Sequence, residues 1–294
     1  MLGRDAVVSV KTAREIFDKN FNILPLQSED ISIVDAAGRI VAKDIVSPVD
    51  LPDFNRSSMD GYAVRAQDTF GATESLPAYL QVIGEVLMGE EPHFEISKGT
   101  AAKISTGGML PKGSDAVAIL EHTQAIDKNS IEALYSVAPG ENVVQMAEDI
   151  KKGEALVKRG HKIRPQDIGA LAGIGIDRVA VYAKPKVAVI TTGNEIVDIK
   201  ANSKLGQVRD INSYYLSSLV DSDGGVPIKK GIIKDDYSEL RRAVEESLSE
   251  ADVVVLSGGS SVGARDLAAK VINDIGKPGV LVHGVSIKPG KPTI

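Results

Sequence analysis

At 294 residues the chain is long enough for about two or three domains, and 43% hydrophobic residues are sufficient for packed interiors. Its net charge of −6 speaks against a general nucleic-acid binder, which needs a basic face to neutralise phosphates. The absence of cysteine excludes disulfide frameworks, zinc–thiolate sites and thiol catalysis.

The first half of the chain is predicted to begin with a helix and to continue with short strands. Thr12 and Glu15 have the spacing of a capping box, so we expect a helix from about Thr12. Residues 31–45 are typical of extended segments. From Tyr62 to about Ala138, short β-type runs alternate with Gly, Pro, Asp and Ser, which predicts a small all-β domain.

The turn-forming residues 139–142, Pro-Gly-Glu-Asn, mark the end of this β region. A helix is expected from Pro165 to about Gly173, because proline is favoured at early helical positions. These segments and the first part of the chain bracket the β region. We therefore predict an interrupted first domain, residues 1–53 plus 139–183, into which residues 54–138 are inserted as a β domain.

From residue 184 the sequence alternates between predicted strands and helices. Residues 186–190 and 253–256 are short apolar runs typical of strands buried on both faces. Helices are expected at 212–219, where Asn212 can act as the cap, at 237–248 and around 267–275. This alternation predicts a doubly wound α/β domain, residues 184–294, with a parallel sheet and helices on both faces.

Targeting and metal-binding signals are weak in this sequence. The N-terminus lacks the apolar run of a signal peptide, and the longest apolar stretch, 168–176, is too short to span a bilayer. We therefore expect a soluble, cytoplasmic protein. The four histidines show no metal-ligand spacing, and we interpret them as structural or surface residues.

Two predicted strands run directly into segments rich in glycine and hydroxyl residues. Thr191-Thr192-Gly193-Asn194-Glu195 follows the first, and Ser257-Gly258-Gly259-Ser260-Ser261 follows the second. In open α/β sheets ligands bind beyond the carboxyl ends of the strands, where glycines let backbone N–H groups approach an anion. The P-loop and dinucleotide fingerprints are absent. Together the two segments predict a site for a phosphate-bearing ligand that is neither a P-loop nor a dinucleotide-binding site. Each segment alone could be a tight turn.

Acidic side chains near these segments have two interpretations. Asp235 and Asp236 could cap the helix that follows them, and Asp266 could stabilise its own helix through the dipole. Glu195 has no such capping role to fill. A carboxylate cluster beside an anionic ligand makes physical sense chiefly if a hard cation such as Mg²⁺ lies between them.

Two further groups of charged residues also leave alternatives open. Asp60 lies in an Asp-Gly pair and could bond to its local backbone in a turn, or it could belong to a site. Lys288 and Lys291 flank Pro289-Gly290. They are either solvated turn residues or point charges on a pyrophosphate or oxyanion.

Five motifs follow one another along the chain in a recognisable order. They are 54–64, Phe-Asn-Arg-Ser-Ser-Met-Asp-Gly-Tyr-Ala-Val; 103–107, Lys-Ile-Ser-Thr-Gly; 191–195; 257–263, leading to Asp266; and 287–292, Ile-Lys-Pro-Gly-Lys-Pro. In this order they resemble the MoeA-type molybdopterin molybdenumtransferases, the gephyrin E-domain family. The resemblance covers essentially all of the chain.

The resemblance implies a molybdenum cofactor biosynthesis enzyme. Family members look like elongated homodimers of several domains, with a site between the molybdopterin-binding α/β domain of one subunit and the β domain of the other. The implied reaction uses Mg²⁺, takes adenylylated molybdopterin and molybdate, and yields molybdenum cofactor and AMP. A molybdopterin adenylyltransferase would be the upstream partner.

The resemblance also implies roles for individual residues. By motif, Asp60 and Thr106 would act from the β domain, whereas Glu195, Asp235 and Lys288 would act from the α/β domain as catalytic residues. Asp235 and Asp266 would hold the metal. Substrate-binding residues would be Ser57, Ser58, Thr192, Gly193, Ser257, Gly258, Gly259, Ser260, Ser261 and Lys291.

The chain departs from the family pattern at three places. Residues 143–146 carry none of the arginines frequent there, and Gly284 stands where many members have a lysine. Family members also continue beyond the position of Ile294 with a further strand, a Gly-Leu-Pro-Gly-Asn-Pro loop and a small C-terminal β domain. We therefore expect the sequence to be a fragment whose α/β domain lacks its last elements.

Two other functions are compatible with these residues. One is a non-catalytic module that binds molybdopterin or a protein partner. The other is molybdopterin adenylyltransferase, whose relatives share the α/β domain and its Ser-Gly-Gly loop, although this leaves residues 54–64 and the inserted β domain unexplained. The sequence does not distinguish molybdate from tungstate.

Overall fold

The chain divides into one continuous and one discontinuous unit in the computed structural model. The structure describes residues 7–21, 26–258 and 262–294, without the side chains of 262–266. The continuous unit is Asp30–Val181, and the discontinuous unit combines Met1–Glu29 with Tyr182–Ile294. The three-domain division expected from the sequence stays a prediction.

Strands outnumber helices in the described part of the chain. The α-helices are α1 (Val10–Asn20), α2 (Pro165–Gly173), α3 (Asn212–Ser222), α4 (Tyr237–Glu250) and α5 (Val262–Ile275). The strands are β1 (Ser28–Ser32), β2 (Ile45–Val46), β3 (Arg56–Ser57), β4 (Gly61–Val64), β5 (Ala78–Glu85), β6 (Thr100–Ile104), β7 (Ala116–Ile119), β8 (Thr123–Ala125), β9 (Ser130–Ala133), β10 (Val143–Val144), β11 (Ala155–Val157), β12 (Arg178–Tyr182), β13 (Lys186–Thr192), β14 (Ile196–Val197), β15 (Val208–Arg209), β16 (Val226–Ile233) and β17 (Val253–Gly258).

A six-stranded sheet in the order β7-β4-β6-β5-β9-β8 dominates the continuous unit. Its strand pairs are antiparallel except for β5 with β6. Successive side chains of a strand point to opposite faces, and both faces are covered here. Val64 packs into one core with Leu80 and Ile131, whereas Ala63 packs into another with Ile104.

The rest of this unit packs around helix α2. The helix begins at Pro165 and ends at Gly173, as predicted. Leu171 is fully buried with Val41 and Ile163 in a separate core. Two short antiparallel pairs, β2 with β11 and β3 with β10, join residues before the large sheet to residues after it.

The N-terminal helix starts slightly earlier than the sequence suggests. Helix α1 begins at Val10, and Ser9 caps it by accepting a hydrogen bond from Thr12 N at 3.0 Å. The capping box predicted at Thr12 and Glu15 is therefore wrong, because Thr12 already lies inside the first turn. The chain before α1 pairs with the far end of the sequence. Val8 N donates to the Gly284 carbonyl, and Ser286 N donates to the Val8 carbonyl.

The discontinuous unit contains a three-stranded parallel sheet in the order β16-β13-β17. From the central strand β13 the chain passes through α3 to β16 on one side. It then returns through α4 to β17 on the other side. With right-handed crossovers, this reversal places α3 and α4 on opposite faces of the sheet. The predicted α/β fold class is confirmed.

The core of this sheet lies under α4. Buried Ile190 of β13 packs against Leu240 and Val244 of α4, and Val271 of α5 belongs to the same cluster. The apolar positions on one face of α4 thus explain why the helix forms here. No helix in the described ranges combines the length and apolarity needed to cross a membrane.

Candidate functional site

The strand order of the parallel sheet reverses at one point, and a ligand crevice is expected beyond the strand ends there. The β16-β13-β17 order places this switch point between β13 and β17, where open α/β sheets bind ligands. Thr191 lies opposite Ser257 in the register, and Thr192 lies opposite Gly258. These four residues therefore end the two strands. The sequence pattern placed them in loops, because the apolar runs end two residues before the strands do.

Gly258 permits a very close approach between the two strand ends. A Cβ atom at this position would lie 1.8 Å from the carbonyl oxygen of Thr192, and its φ is +140°. Gly193 is similarly restricted, since its φ is +152° and a Cβ atom would lie 2.7 Å from Cγ1 of Ile196. Gly258 is thus required by close backbone packing, and Gly193 by its positive φ. The predicted anion contacts of Gly259, Ser260 and Ser261 lie outside the described residues.

The hydroxyl of Thr192 connects the end of β13 to Asp235. Thr192 is almost fully buried, and its Oγ1 donates to Asp235 Oδ1 at 2.8 Å. Asp235 N donates in turn to Asn194 Oδ1 at 3.3 Å. The Asp235 side chain is thereby held at the carboxyl end of the sheet.

Of the two adjacent aspartates before α4, one caps the helix and the other belongs to the candidate site. Asp236 is the N-cap, and its Oδ1 accepts from Ser238 N at 2.9 Å and from Glu239 N at 3.0 Å. Hydrogen bonds from the Ser238 hydroxyl and from Glu239 N lower the pKa of the Asp236 carboxyl. Capping by Asp236 leaves Asp235 available to the crevice.

Asp210 and Asn212 are site residues that the sequence patterns did not reveal. Asn212 was predicted only as a helix cap, but its Nδ2 donates to Ser257 Oγ at 2.8 Å. The capping contact comes instead from buried Asp210, whose Oδ1 accepts from Ser213 N at 3.0 Å. Asp210 also accepts from the Ser213 hydroxyl and, at 3.3 Å, from the Thr191 hydroxyl. The spacing of Asp210 and Ser213, three residues apart at the start of a helix, is the sequence signal that could have revealed this capping contact.

Glu195 lies beside Gly193 just after the end of β13, whereas the two lysines line a cavity near the end of the sequence. Glu195 is half-buried, and its Oε2 would lie 3.1 Å from a Cβ atom placed on Gly193. Lys288 and Lys291 line a cavity of about 350 Å³ together with Val7, Ser286 and Ile287. In the described part of the chain, neither lysine forms an ion pair with Glu195 or Asp235.

In the continuous unit, Asp60 and Thr106 form a pair at the ends of β4 and β6. Asp60 Oδ1 accepts from Thr106 N at 2.7 Å and from Thr106 Oγ1 at 3.1 Å. Both residues are exposed. The Asp60 carboxylate thus bonds to a residue 46 positions away rather than to a local turn. The following Gly61 is explained by packing, since a Cβ atom there would lie 2.1 Å from the Ala118 carbonyl oxygen.

The two serines before Asp60 differ in exposure. Ser57 is 1% exposed, and its hydroxyl donates to the Met59 carbonyl oxygen at 2.5 Å. The Ser57 hydroxyl therefore shapes the segment that presents Asp60. Ser58 is exposed, and its backbone N donates to the Asn142 carbonyl oxygen. Substrate binding by either serine stays a prediction.

The described residues contain no cluster of three or more His, Asp or Glu side chains arranged to hold a metal ion. His161 Nε2 lies 2.7 Å from Asp167 Oδ2 and supports the start of α2, which is one of the two roles, structural or surface, expected for the histidines. His122 packs its ring against that of Tyr135 with centroids 4.6 Å apart. The side chain of Asp266, the second predicted metal ligand, lies outside the described residues.

Comparison with known proteins identifies the family. Residues 8–175 match the MoeA N-terminal region (domain I and II), and residues 188–294 match a probable molybdopterin binding domain. A putative molybdopterin biosynthesis protein of Methanocaldococcus jannaschii is 40% identical over 95% of this chain and 68% of its own length. A molybdopterin molybdenumtransferase of Nostoc sp. is 35% identical over 92% of this chain and 63% of its own length.

Solved structures agree with this assignment. A molybdopterin biosynthesis MoeA protein from Pyrococcus horikoshii is 44% identical and superimposes with a TM-score of 0.83 over 98% of this chain and 71% of that one. A second MoeA structure from the same organism is 36% identical and has a TM-score of 0.85 over 97% and 71%. The chain spans 63 to 68% of the length of the Nostoc and Methanocaldococcus relatives. On the combined sequence and structural matches, the chain belongs to the MoeA family of molybdopterin biosynthesis proteins.

Proposed function

We propose that this protein is a molybdopterin molybdenumtransferase. It takes adenylylated molybdopterin and molybdate or tungstate, inserts the metal into the pterin dithiolene, and releases AMP. The observation that carries the proposal is the polar strand-end crevice formed by Thr192, Asp235 and Ser257 at the switch point of a molybdopterin-binding fold. Curated relatives of 31 to 40% identity include several named for this activity.

The α/β unit contributes groups suited to a phosphate-bearing pterin. Ser257 and Gly258 lie at the end of β17, and the next described element is helix α5, whose N-terminus favours negative charge. Lys288 and Lys291 add two positive charges at one cavity, where we propose that they hold phosphate oxygens. Glu195 and Asp235 are proposed to orient the reacting groups. Catalysis then rests mainly on positioning and electrostatics.

Of the two proposed magnesium ligands, Asp235 and Asp266, the structure describes the side chain of Asp235, and it fits a magnesium site. Mg²⁺ prefers oxygen ligands and is usually bound by one or two carboxylates together with substrate phosphates and waters. Asp235 supplies one such carboxylate, and one of its oxygens has no partner among the residues that the structure describes. We propose that Asp235, with Asp266, holds the ion. Bound there, Mg²⁺ would polarise the phosphoanhydride bond that is cleaved.

The pair formed by Asp60 and Thr106 is proposed to seat the oxyanion or the AMP moiety. Its exposed carboxylate and hydroxyl are fixed to each other by two hydrogen bonds, so the pair is preorganised. Ser58 lies beside it in the same exposed segment. The homodimer and the upstream molybdopterin adenylyltransferase implied by the resemblance are part of this proposal. The cytoplasmic localisation stays a prediction.

The direct test is AMP release from adenylylated molybdopterin in the presence of molybdate and Mg²⁺. Wild-type protein should release AMP only when molybdate is present. Asp235→Asn should lower the rate by about tenfold or more while molybdopterin still binds. Asp236→Asn is the matched control, because it weakens a helix cap and should lower stability by no more than about 1 kcal/mol without changing the rate. Equal rates in Asp235→Asn and wild type would remove Asp235 from the reaction.

A further inference from the structure

The hydroxyl groups at the two strand ends present opposite hydrogen-bonding character. Thr192 Oγ1 donates its proton to the Asp235 carboxylate, because a carboxylate can only accept. The exposed part of this pair therefore offers oxygen lone pairs alone. Such a surface suits a cation or the N–H groups of a ligand, and it does not suit phosphate oxygens, which also only accept.

Ser257 has the opposite arrangement. Its Oγ accepts a hydrogen bond from Asn212 Nδ2 at 2.8 Å. The amide nitrogen of Asn has no lone pair to offer, so the Ser257 proton is not used in this contact. No acceptor for that proton is present among the residues that the structure describes. Ser257 can therefore donate to a ligand oxygen at the end of β17.

Asn212 is held in position by the buried carboxylate of Asp210 at the start of α3. It is the first residue of α3, and Asp210 fixes this turn by accepting from the N–H and the hydroxyl of Ser213. Asp210 is 6% exposed and also accepts from Thr191, which ties the helix start to β13. The side-chain amide of Asn212 is thus presented to Ser257 by a rigid element, which is what precise orientation of a hydroxyl requires.

We propose that Asn212 is a positioning residue that makes Ser257 a hydrogen-bond donor to an anionic oxygen of the pterin substrate. This inference rests on the proposed function, because it assigns a ligand to that crevice. The Ser257 end of the crevice takes phosphate oxygens, and the Thr192–Asp235 end takes a cation or ligand N–H groups. Asn212 acts through Ser257 and does not itself touch the substrate.

A double-mutant cycle tests this relay. Ser257→Ala and Asn212→Ala, singly and together, are assayed for the dissociation constant of molybdopterin by equilibrium dialysis and for KM and kcat of AMP release. Ser257→Ala should weaken binding about tenfold, and Asn212→Ala should weaken it about three- to tenfold, with kcat within about twofold of wild type. In the Ser257→Ala background, Asn212→Ala should have no further effect, because the residue it orients is gone.

Two results would overturn the relay. Independent, multiplying effects of the two substitutions would show that Asn212 acts on the ligand directly, and unchanged binding in Asn212→Ala would show that it does not act at all. Failure of the proposed reaction is distinguished by wild-type protein that binds molybdopterin but releases no AMP, since the binding cycle is then still decisive. Wild-type protein that does not bind molybdopterin would overturn both. Unfolding curves confirm that each variant is folded.

Discussion

The buried hydroxyl of Thr192 donates to the carboxylate of Asp235 over 2.8 Å, across 43 positions of sequence. This hydrogen bond joins the last residue of β13 to the segment before α4. It therefore fixes a carboxylate at the point where the strand order of the sheet reverses. A hydrogen bond to a charged group of this kind contributes more than one between neutral partners.

Replacing Thr192 with valine removes the hydroxyl while keeping the branched shape of the side chain. We expect Thr192→Val to lower the free energy of unfolding by about 1–3 kcal/mol and to lower AMP release, because Asp235 loses the contact that orients it. Thr192→Ser retains the hydroxyl and should stay closer to wild type on both measures. Urea unfolding and initial rates check this. A valine variant as active as the serine variant would contradict the positioning role.

The pair formed by Asp60 and Thr106 predicts a graded response to substitution. Asp60→Ala removes both hydrogen bonds, whereas Thr106→Ala keeps the 2.7 Å bond from the backbone N–H. We expect AMP release to fall about 100-fold in Asp60→Ala and about three- to tenfold in Thr106→Ala. Both residues are exposed, so unfolding free energies should change by less than about 1 kcal/mol. Equal losses in the two variants would show that the carboxylate has no role beyond holding Thr106.

Gly258 should tolerate no side chain. In Gly258→Ala the new methyl group would meet the Thr192 carbonyl oxygen, so β17 must shift relative to β13. We expect a loss of about 2–4 kcal/mol in unfolding free energy, together with loss of molybdopterin binding. Gly276→Ala is the matched control in the same unit, because a Cβ atom there meets open space. It should change stability by less than about 1 kcal/mol. Similar curves for the two variants would contradict the close approach.

Asp167 gives the continuous unit a dependence on acid. Hydrogen bonds from the Arg164 side chain, and then from His161, hold the pKa of the Asp167 carboxyl well below its usual range. A carboxyl with a lowered folded-state pKa contributes stability above its unfolded value of about 3.8 and loses that contribution as pH falls through the folded value. Asp167→Asn should therefore be less stable than wild type by about 1–2 kcal/mol at pH 7.

The difference between Asp167→Asn and wild type should shrink as the pH falls below about 4. Urea unfolding followed at several pH values measures it. Asp30→Asn serves as the control, because the pair of Asp30 with Arg178 is more than half exposed and should contribute no more than about 1 kcal/mol. A difference for Asp167→Asn that grows in acid would contradict the direction of this pKa shift.

Sequence patterns predicted those helices and strands well whose signals lie within a few neighbouring residues. Apolar runs marked β13 and β17 as buried strands, and Pro165 marked the start of α2. Each depends on residues that are adjacent in sequence or one helical turn apart. The ends of the strands were less accurate, because Thr191 and Thr192 are polar but lie within the sheet. Their hydroxyls are satisfied by Asp210 and Asp235, which only the fold brings to them.

The candidate site was predicted in part for the same reason. The motifs identified Asp60 and Thr106, but the hydrogen bonds between them follow from the pairing of β4 with β6. Asn212 was interpreted as a cap because its spacing fits one, and its contact with Ser257 depends on where α3 begins relative to β17. Sequence spacing reports the geometry of one element. Contacts between elements depend on register and on packing, which no short pattern contains.

The backbone contacts of Val8 with Gly284 and Ser286 have a consequence for synthesis on the ribosome. At about 10 residues per second, Val285 leaves the peptidyl transferase centre roughly half a minute after Val8. The continuous unit Asp30–Val181 is complete well before that time. The N-terminal segment is therefore synthesised long before residues 284–286, with which it pairs. The continuous unit can fold during that time. During this interval, Val8 and the helix α1 that follows it are without Gly284 and Ser286, the residues that pair with Val8 in the folded unit.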